Sequence, residues 1–514
     1  MQNMDANISL PDSITTCHNL IQGLLDTLKN KDRLIGQLEH RLDLLLKSKY
    51  GSRSEKINPE ELLPQLRDLF VSSLPEQKTE PVKTETITYE RKVQGHGRNE
   101  LPANLRREQK IHDLEESQKI CGCCGDPLKR IGEEKSEQLN YIPASLYVIE
   151  HIRYKYGCVN KECQQTVVTA DKSGYEPIEK GLAGAGLLAQ VMVSKYGDHC
   201  PLYRMEDIFS RHGVNLSRST LCDWMAQSAE LLKPLYRVMK KRVLESKVIH
   251  TDDTPVKVQD NDHNKCRQGR IWVYLGDAAN PYNVFDYTAS RSREGPDEFL
   301  NGFRGYLQAD AFGGYDGIYL TKPVMEVLCN AHARRKFYEA RHIDTLISHM
   351  ALAYYKRLYA VERQIKDLSS QEKYKARQAE SLPIFEDYKV WLDSITDAQA
   401  LPKSPIRLAI NYCLKNWEAL IRYTEDGDLA IDNNAAERQM KQIALGRKNW
   451  IFFGSDKGGR TAAILFSMTQ SAKRCGLNLF TYIEDVLSRL PGQPINQLHE
   501  LLPDQWAQQH IVAK

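Results

Sequence analysis

Between residues 17 and 47 the apolar side chains fall on one line. Leu24, Leu28, Ile35, Leu38, Leu42 and Leu45 alternate at spacings of four and three, with Lys31 in the one polar slot. That is a heptad seam of about four repeats, and it predicts one long helix. Such a helix either packs on its own chain or pairs two copies as a coiled coil. A single Lys in the seam weakens pairing but can fix its register.

Periodicity then lapses. Residues 51–110 are polar and proline-bearing, as in "SSLPEQKTEPVKTET", and read as a linker. Its later part is basic, with Arg91, Lys92, Arg98, Arg106, Arg107 and Lys110. That run is either a solvated face or an arm for a phosphate backbone. Residues 183–232 return to helical spacing, in "GAGLLAQVMVSKYG", "PLYRMEDIFSRHG" and "SRSTLCDWMAQSAELL". Gly213 ends one helix, and Ser217 or Ser219 caps the next. Two helices joined by "HGVNLS" suit a helix-turn-helix, with an ordinary helical hairpin as the alternative.

From residue 246 the texture changes to strands. "KVIHTDD", "GRIWVYLGD" and "YNVFDYT" are followed by a short helix around "SREGPDEFL". Then come "RGYLQADAF" and a fifth strand that runs into the basic helix of "CNAHARRKFYEA". Three strands, a helix and two further strands are how a ribonuclease-H-like mixed sheet begins. Between Phe337 and Asp428 the pattern is almost wholly helical, an insertion into this core.

The chain has 514 residues, which suggests about three domains or more. Its apolar and charged fractions, 41% and 27%, are ordinary for globular proteins, and a net charge of +3 favours no partner class. The start, "MQNMDANISL", lacks a basic segment followed by an apolar core, and no run of about 18 apolar residues appears. A cytoplasmic protein without a membrane span is expected. Twelve cysteines are spread along the chain, and the grouped ones are Cys121, Cys123, Cys124, Cys158 and Cys163. A turn with Cys at i and i+3 presents two thiolates to one zinc ion. Cys121 and Cys124 supply that pair. Cys158 and Cys163 can close the site, and Cys123 can replace one partner.

Asp252 and Asp310 end the first and fourth strands, which are neighbours in such a sheet. Paired carboxylates repel unless a cation lies between them, and oxygen ligands favour Mg2+ or Mn2+. A third acid would complete a site for two ions acting on a phosphodiester. The stretch "DLAIDNNAAERQMKQIALGRKNWIFFGS" supplies one. Asp432 or Asn433 caps a helix, Glu437 sits about one turn inside it, and Arg438, Lys441, Arg447 and Lys448 follow. Taken alone, this segment also reads as a capped surface helix with a Glu437–Lys441 pair.

"HTDDTPVKV", "GYLQADAFGGYDGIY", "CNAHARRKF" and "IDNNAAERQMKQIALGRKNWIFFGS" closely resemble transposases of the insertion-sequence-66 family. So do "SKYGDHCPLYRMEDIFSRHGVNLSRSTLCDW", the zinc knuckle and "KYGSRSEK", in the family's order. The resemblance implies a ribonuclease-H-like core with the acid triad Asp252, Asp310 and Glu437. Asp253 falls where the family usually has Glu, and it is the resemblance that selects Asp252 over its neighbour. His332, Arg334 and Arg335 fall on a His-x-Arg-Arg motif, and Asn433 precedes the third acid. The second cysteine pair is more widely spaced than the family's usual CxxC.

The expected architecture is multidomain α+β. A coiled coil occupies 1–50, a linker with a basic arm 51–110, a zinc-binding β module 111–175 and a helix-turn-helix region 176–240. A catalytic core follows over 241–470, with its helical insertion at about 338–427, and then a helical tail over 471–514. The expected activity is metal-dependent cleavage and transfer of DNA strands. Mg2+ or Mn2+, as two ions, would sit on Asp252, Asp310 and Glu437, and structural Zn2+ on Cys121, Cys124, Cys158 and Cys163. Arg334, Arg335, Arg438, Lys441, Arg447 and Lys448 would contact DNA, with Asp253, His332 and Asn433 in auxiliary roles. The expected partners are terminal repeats and target DNA, a second copy of the chain and accessory proteins of the same element, at the bacterial nucleoid. The rival readings are a catalytically inactive DNA-binding derivative and a stand-alone nuclease.

Overall fold

The computed structural model describes residues 13–50, 146–152, 154–156, 168–169, 176–179, 181–260 and 265–511. The linker, the basic arm and the five grouped cysteines lie outside the described residues. The chain divides into two compact units, one of residues 1–76 with 153–514 and one of residues 77–152. Of the second unit, residues 146–152 are described; they are exposed and carry neither helix nor strand.

The heptad stretch forms helix α1, Ile14–Tyr50, 37 residues and roughly 55 Å long. Leu24, Leu28, Ile35, Leu38 and Leu42 are each more than half exposed along it. Residues Lys155–Tyr156 and Val168–Thr169 make a two-stranded antiparallel pairing. Then come α2, Ala185–Met192, α3, Leu202–Arg211, and α4, Arg218–Leu244. Gly213 ends α3 in the left-handed region, at φ 80°, which costs glycine nothing. Ser217 caps α4 by accepting the Thr220 N–H at 3.2 Å.

The sheet comprises β1, Val248–Asp260, β2, Lys265–Leu275, β3, Asn283–Thr288, β4, Gly305–Ala309, and β5, Val324–Leu328. Its spatial order is β3-β2-β1-β4-β5. The first three strands are antiparallel, and β4 and β5 run parallel to β1. The expected adjacency of the first and fourth strands is present. Ile271, Trp272, Val273, Tyr274 and Leu275 of β2 are all buried, so both faces of the sheet are covered. One cover is aromatic: Tyr274 stacks on Phe299 of α5, Glu294–Phe299, with centroids 3.6 Å apart.

On β3, α14, Asp456–Arg474, does the work of a missing strand. Ser467 Oγ accepts the Phe285 N–H at 2.8 Å, and Ser471 Oγ accepts the Asn283 N–H at 2.9 Å. Buried hydroxyls thereby blunt a sheet edge that would otherwise present bare amides. One continuous core joins Trp224 and Leu232 of α4, Val273 and Phe285 of the sheet, and Val486 and Leu487 of α15, Leu479–Arg489. The boundaries expected at 240 and 470 therefore cut through shared packing. The helical region and the tail complete the sheet's core, because the α4 and α15 faces are too apolar to stand alone.

A short α6, Asp316–Thr321, precedes β5, and α7, Asn330–Ala340, follows it. The chain then leaves the sheet through α8, Thr345–Gln364, α9, Ser370–Ala376, α10, Leu382–Ser394, α11, Pro405–Lys415, and α12, Trp417–Ile421. These helices share a second core with Leu328 and Phe337. The return to the sheet depends on Arg377, which is 2% exposed. Its Nε and Nη2 hold the Glu362 carboxylate at 2.9 and 2.8 Å, and Nη1 donates to the carbonyls of Tyr423 at 3.0 Å and Asp426 at 2.8 Å. Lys247, just before β1, then pairs with Asp426 and Asp428, each at 2.7 Å. Gly427 passes so close to Ser370 that a Cβ would lie 1.8 Å from its carbonyl oxygen.

The chain re-enters as α13, Asn434–Trp450, and the last helix is α16, Pro503–Ile511. Beyond α13, Ile451 sits at φ 66° and ψ −52°, a strained γ-turn closed by the Phe452 N–H on the Trp450 carbonyl at 2.7 Å. That turn lets Phe453 pair with the far end of β1, donating to Lys257 O at 2.9 Å and accepting from Gln259 N at 2.8 Å. No helix among the described residues is long and apolar enough to cross a membrane.

Arg377→Met strands the Glu362 carboxylate and unties two carbonyls. It should cost about 3–5 kcal/mol and lower the melting temperature. Adding Glu362→Gln should recover part of that loss, and equal melting of wild type and Arg377→Met would refute the role assigned to the guanidinium.

Candidate active site

Register puts two acids side by side. On β1 and β4, Val248, Ile249 and His250 pair with Tyr306, Leu307 and Gln308. Two residues beyond the last pair stand Asp252 on one strand and Asp310 on the other. Burial pushes the Asp252 carboxyl up to about 7, and the negative charges of Asp310, Asp253 and Glu437 push the same way. The Asp253 N–H, 2.8 Å from Asp252 Oδ1, pulls it back only in part. Asp310 is also raised by burial, against the nearby positive ends of His332 and Arg291.

Adjacent acids in one strand meet different fates. Asp253 is held by two arginines. Arg270 Nη1 donates to Oδ2 at 2.9 Å, and Arg291 donates Nε and Nη2 to Oδ1 at 3.0 and 2.8 Å. Arg291 lies over the Phe312 ring, 4.0 Å from its centroid, and Nη2 reaches within 4.0 Å of Asp310 Oδ2. Among the described residues Asp252 has no such cation. The ion pairs thus separate the two neighbours: Asp253 is neutralised by protein, and Asp252 is the carboxylate with charge to share.

Glu437 arrives on the first turn of α13. Asn433 stands at the cap position, yet its side chain makes no cap bond. It is 1% exposed and bolts α13 to β1 instead. Its Nδ2 donates to Thr251 O at 2.7 Å, and its Oδ1 faces His250 Nδ1 at 3.0 Å. Because Nδ2 is the donor to Thr251, Oδ1 must accept, so His250 carries its proton on Nδ1. Burial holds that imidazole below its ordinary pKa, against the bond to Asn433, which raises it. Gln308 of β4 ties down the same segment through the carbonyls of Ala430 and Asp432. Asp432 closes on Asn434 N at 3.1 Å and accepts the Tyr359 hydroxyl at 2.9 Å.

Around Glu437 stand Arg335, with Nη2 3.9 Å from Oε2, and His332, with Nδ1 3.8 Å from Oε1. Glu437 Oε1 is buried and has no hydrogen-bond partner. At 100° per residue, Glu437, Lys441 and Lys448 share one stripe of α13. Arg438, Lys441 and Lys448 are exposed. Arg334 lies 6.0 Å from the Tyr338 ring centroid. Arg447, expected on phosphate, instead donates Nη1 to Thr254 Oγ1 at 3.0 Å and Pro255 O at 2.7 Å. It is a fastener of α13 to β1, since the helix turns that side towards the strand.

Two residues of this site have no signal in the sequence. Arg270 and Arg291 sit among ordinary polar residues, and only strand pairing and the loop after β3 carry them to Asp253. The fit to a hard divalent cation rests on two observations. Asp252 is buried among like charges without a counter-ion, and Glu437 Oε1 is buried without a partner. Asp252, Asp310 and Glu437 offer oxygen alone, the donor set for Mg2+ or Mn2+. Cys329, His332 and Glu437 offer a mixed set, with donor atoms within 4.8 Å of one another.

Two outcomes follow for the metal-free protein. The folded Asp252 keeps its proton up to about pH 7, against an ordinary value of 3.8. The folded state then binds more protons than the unfolded one between those values, and stability falls as pH rises across that window. Asp252→Asn should remove that fall in melting curves; an unchanged pH profile would contradict the burial argument. Mg2+ or Mn2+ at about 100 times its dissociation constant should raise wild-type stability by about 2.7 kcal/mol. Asp252→Ala should lose most of that gain.

Family models match most of the chain. Residues 180–461 match the model of the transposase IS66 family, and residues 467–503 match the IS66 C-terminal element. Residues 118–163 match the zinc-finger binding domain of transposase IS66, and residues 37–109 match the model described as transposase C of IS166 homeodomain. The chain is 32% identical over 501 residues to the uncharacterized protein y4hP of Sinorhizobium fredii, covering 91% of this chain and 88% of that one. It is 31% identical to the uncharacterized protein y4jD of the same organism, covering 92% and 95%. With the family model spanning the sheet, the insertion and the helix of Glu437, the chain belongs to the IS66 family of transposases.

Proposed function

We propose that this chain binds the ends of its insertion sequence and catalyses metal-dependent strand cleavage and strand transfer through Asp252, Asp310 and Glu437. One observation carries the reading. Asp252 is a half-buried carboxylate where β1 and β4 lie side by side, pressed by Asp310 and Glu437 and without a paired cation among the described residues. The order β3-β2-β1-β4-β5, with antiparallel pairing followed by parallel, supports a ribonuclease-H-like core.

Asp252, Asp310 and Glu437 are the residues that would hold two divalent ions. Bound there, such ions supply the positive charge that activates an attacking oxygen and steadies a leaving one. The protein's own groups do the rest. Arg270 and Arg291 neutralise Asp253, so it does not compete for the ions. Arg335 steadies Glu437, and Arg438, Lys441 and Lys448 present cations to the phosphate backbone along the exposed side of α13. Water opens the phosphodiester at the element's end, and the freed 3′-hydroxyl then attacks target DNA in the same site.

The other parts serve DNA recognition and pairing. Arg218 and Ser219, at the exposed start of α4, suit the reading end of a helix-turn-helix, while Leu221, Trp224 and Met225 anchor it to the core. Cys121, Cys124, Cys158 and Cys163 would hold Zn2+ in a module beside the basic arm. The exposed seam of α1 would pair two protomers so that two DNA ends are held together. Accessory proteins of the same element would join that assembly.

The decisive measurement is cleavage and joining of DNA bearing the element's own ends, in Mg2+. Glu437→Gln should bind those ends as wild type does and lose at least about 100-fold in cleavage. Binding without cleavage by wild type, with any accessory proteins supplied, would favour an inactive DNA-binding derivative. Cutting without joining would favour a nuclease. Separately, Leu28→Glu with Leu38→Glu should convert a dimer to monomer in sedimentation while leaving the core's melting unchanged.

A further inference from the structure

Cys329, His332 and Glu437 meet where α7 begins and α13 passes it. Their sulfur, ring nitrogen and carboxylate oxygen lie within 4.8 Å of one another. Two of the donor atoms are orphans. His332 Nδ1 and Glu437 Oε1 are both buried, both lack a hydrogen-bond partner and face each other at 3.8 Å. A buried polar atom left unpaired costs stability, and two of them opposed mark a place built to receive a cation.

The third donor is prepared for the same task. Cys329 occupies the N-cap of α7. Its sulfur accepts the Asn433 N–H at 3.1 Å and is drawn towards the anion by the His332 N–H as well. A helix N-terminus and N–H···S bonds favour a thiolate.

We propose that Cys329 Sγ, His332 Nδ1 and Glu437 Oε1 form an inhibitory site for a borderline-soft divalent cation, Zn2+ foremost. On binding, the ion gains sulfur, nitrogen and oxygen ligands with water as the fourth, and the thiol proton passes to solvent. Thiolate and carboxylate together balance the ion's charge. Sulfur and imidazole select zinc over Mg2+, which prefers oxygen alone in an octahedron. Glu437 Oε1, spent on that ion, is not available to one held by Asp252 and Asp310, so occupancy shuts the active site. That last consequence rests on Glu437 being the third acid; the binding itself does not.

The test uses the full chain with its cysteine module already loaded with zinc, and Co2+ as the probe. Wild type should show a saturable thiolate-to-cobalt charge-transfer band. Cys329→Ser should lose it, and His332→Ala and Glu437→Gln should each weaken cobalt binding about tenfold or more. A band that is absent in wild type, or unchanged in Cys329→Ser, overturns the site. Should Cys329→Ser melt early, the two other variants decide by affinity alone. In the cleavage assay, saturating Zn2+ should silence wild type in Mg2+ and leave Cys329→Ser cutting. Zinc bound through Cys329 with cleavage unaffected overturns the inhibitory role. Absence of cleavage under every condition overturns the transposase reading, and leaves the cobalt result to stand or fall alone.

Discussion

Mutual repulsion among Asp252, Asp253, Asp310 and Glu437 is the constraint around which this protein is organised. Each pair lowers the stability of the fold while both members carry charge, and burial makes that penalty larger. Protein cations cancel part of it. Arg270 and Arg291 fully engage Asp253, and Arg335 stands near Glu437. The remainder falls on Asp252, whose carboxyl is pushed up to about 7 by burial together with those neighbouring charges.

Acids that repel must be held by something other than their charges. Here neutral amides do it. Asn433 and Gln308 are both buried, and each bonds backbone across an element boundary. Asn330 is buried too, and its Nδ2 donates to the Leu420 carbonyl at 2.9 Å. Arg447 adds a charged fastener between the same helix and β1. Amides suit this place because they donate and accept without adding charge to an already crowded field. The strained γ-turn at Ile451 belongs to the same scheme, since it is what lets the chain return to β1 directly after α13.

Much of this was legible in the sequence, for physical reasons that vary by element. The α1 heptads, the strand alternations and the acid just past β4 are local signals, and local signals survive in one dimension; Asp252, expected at a strand end, lies inside β1, because pairing with β2 carries that strand on to Asp260. Gly213 and Ser217 announced the α3–α4 turn because left-handed backbone and cap geometry demand particular residues. What failed to show was long-range. Nothing near Arg291 says that its loop folds onto Asp253. Asn433 reads as a cap and serves as a bolt, because an asparagine looks alike whether its amide meets the next turn or a distant strand. Arg447 reads as a phosphate ligand until the face of α13 is known. The boundaries expected at 240 and 470 say nothing of the core that α4 and α15 share with the sheet, because apolar helical faces do not declare which sheet they will cover.

The bond from Asn433 to Thr251 joins residues 182 positions apart in the chain. A ribosome has therefore made the whole insertion before the helix of Glu437 can meet the first strand. Closing so long a loop adds little to the final free energy, since its entropic cost grows only logarithmically, but it delays assembly. The order of synthesis thus sets the order of assembly: a nascent chain can pair β1 with β4 and bring Asp252 and Asp310 together long before it carries Glu437.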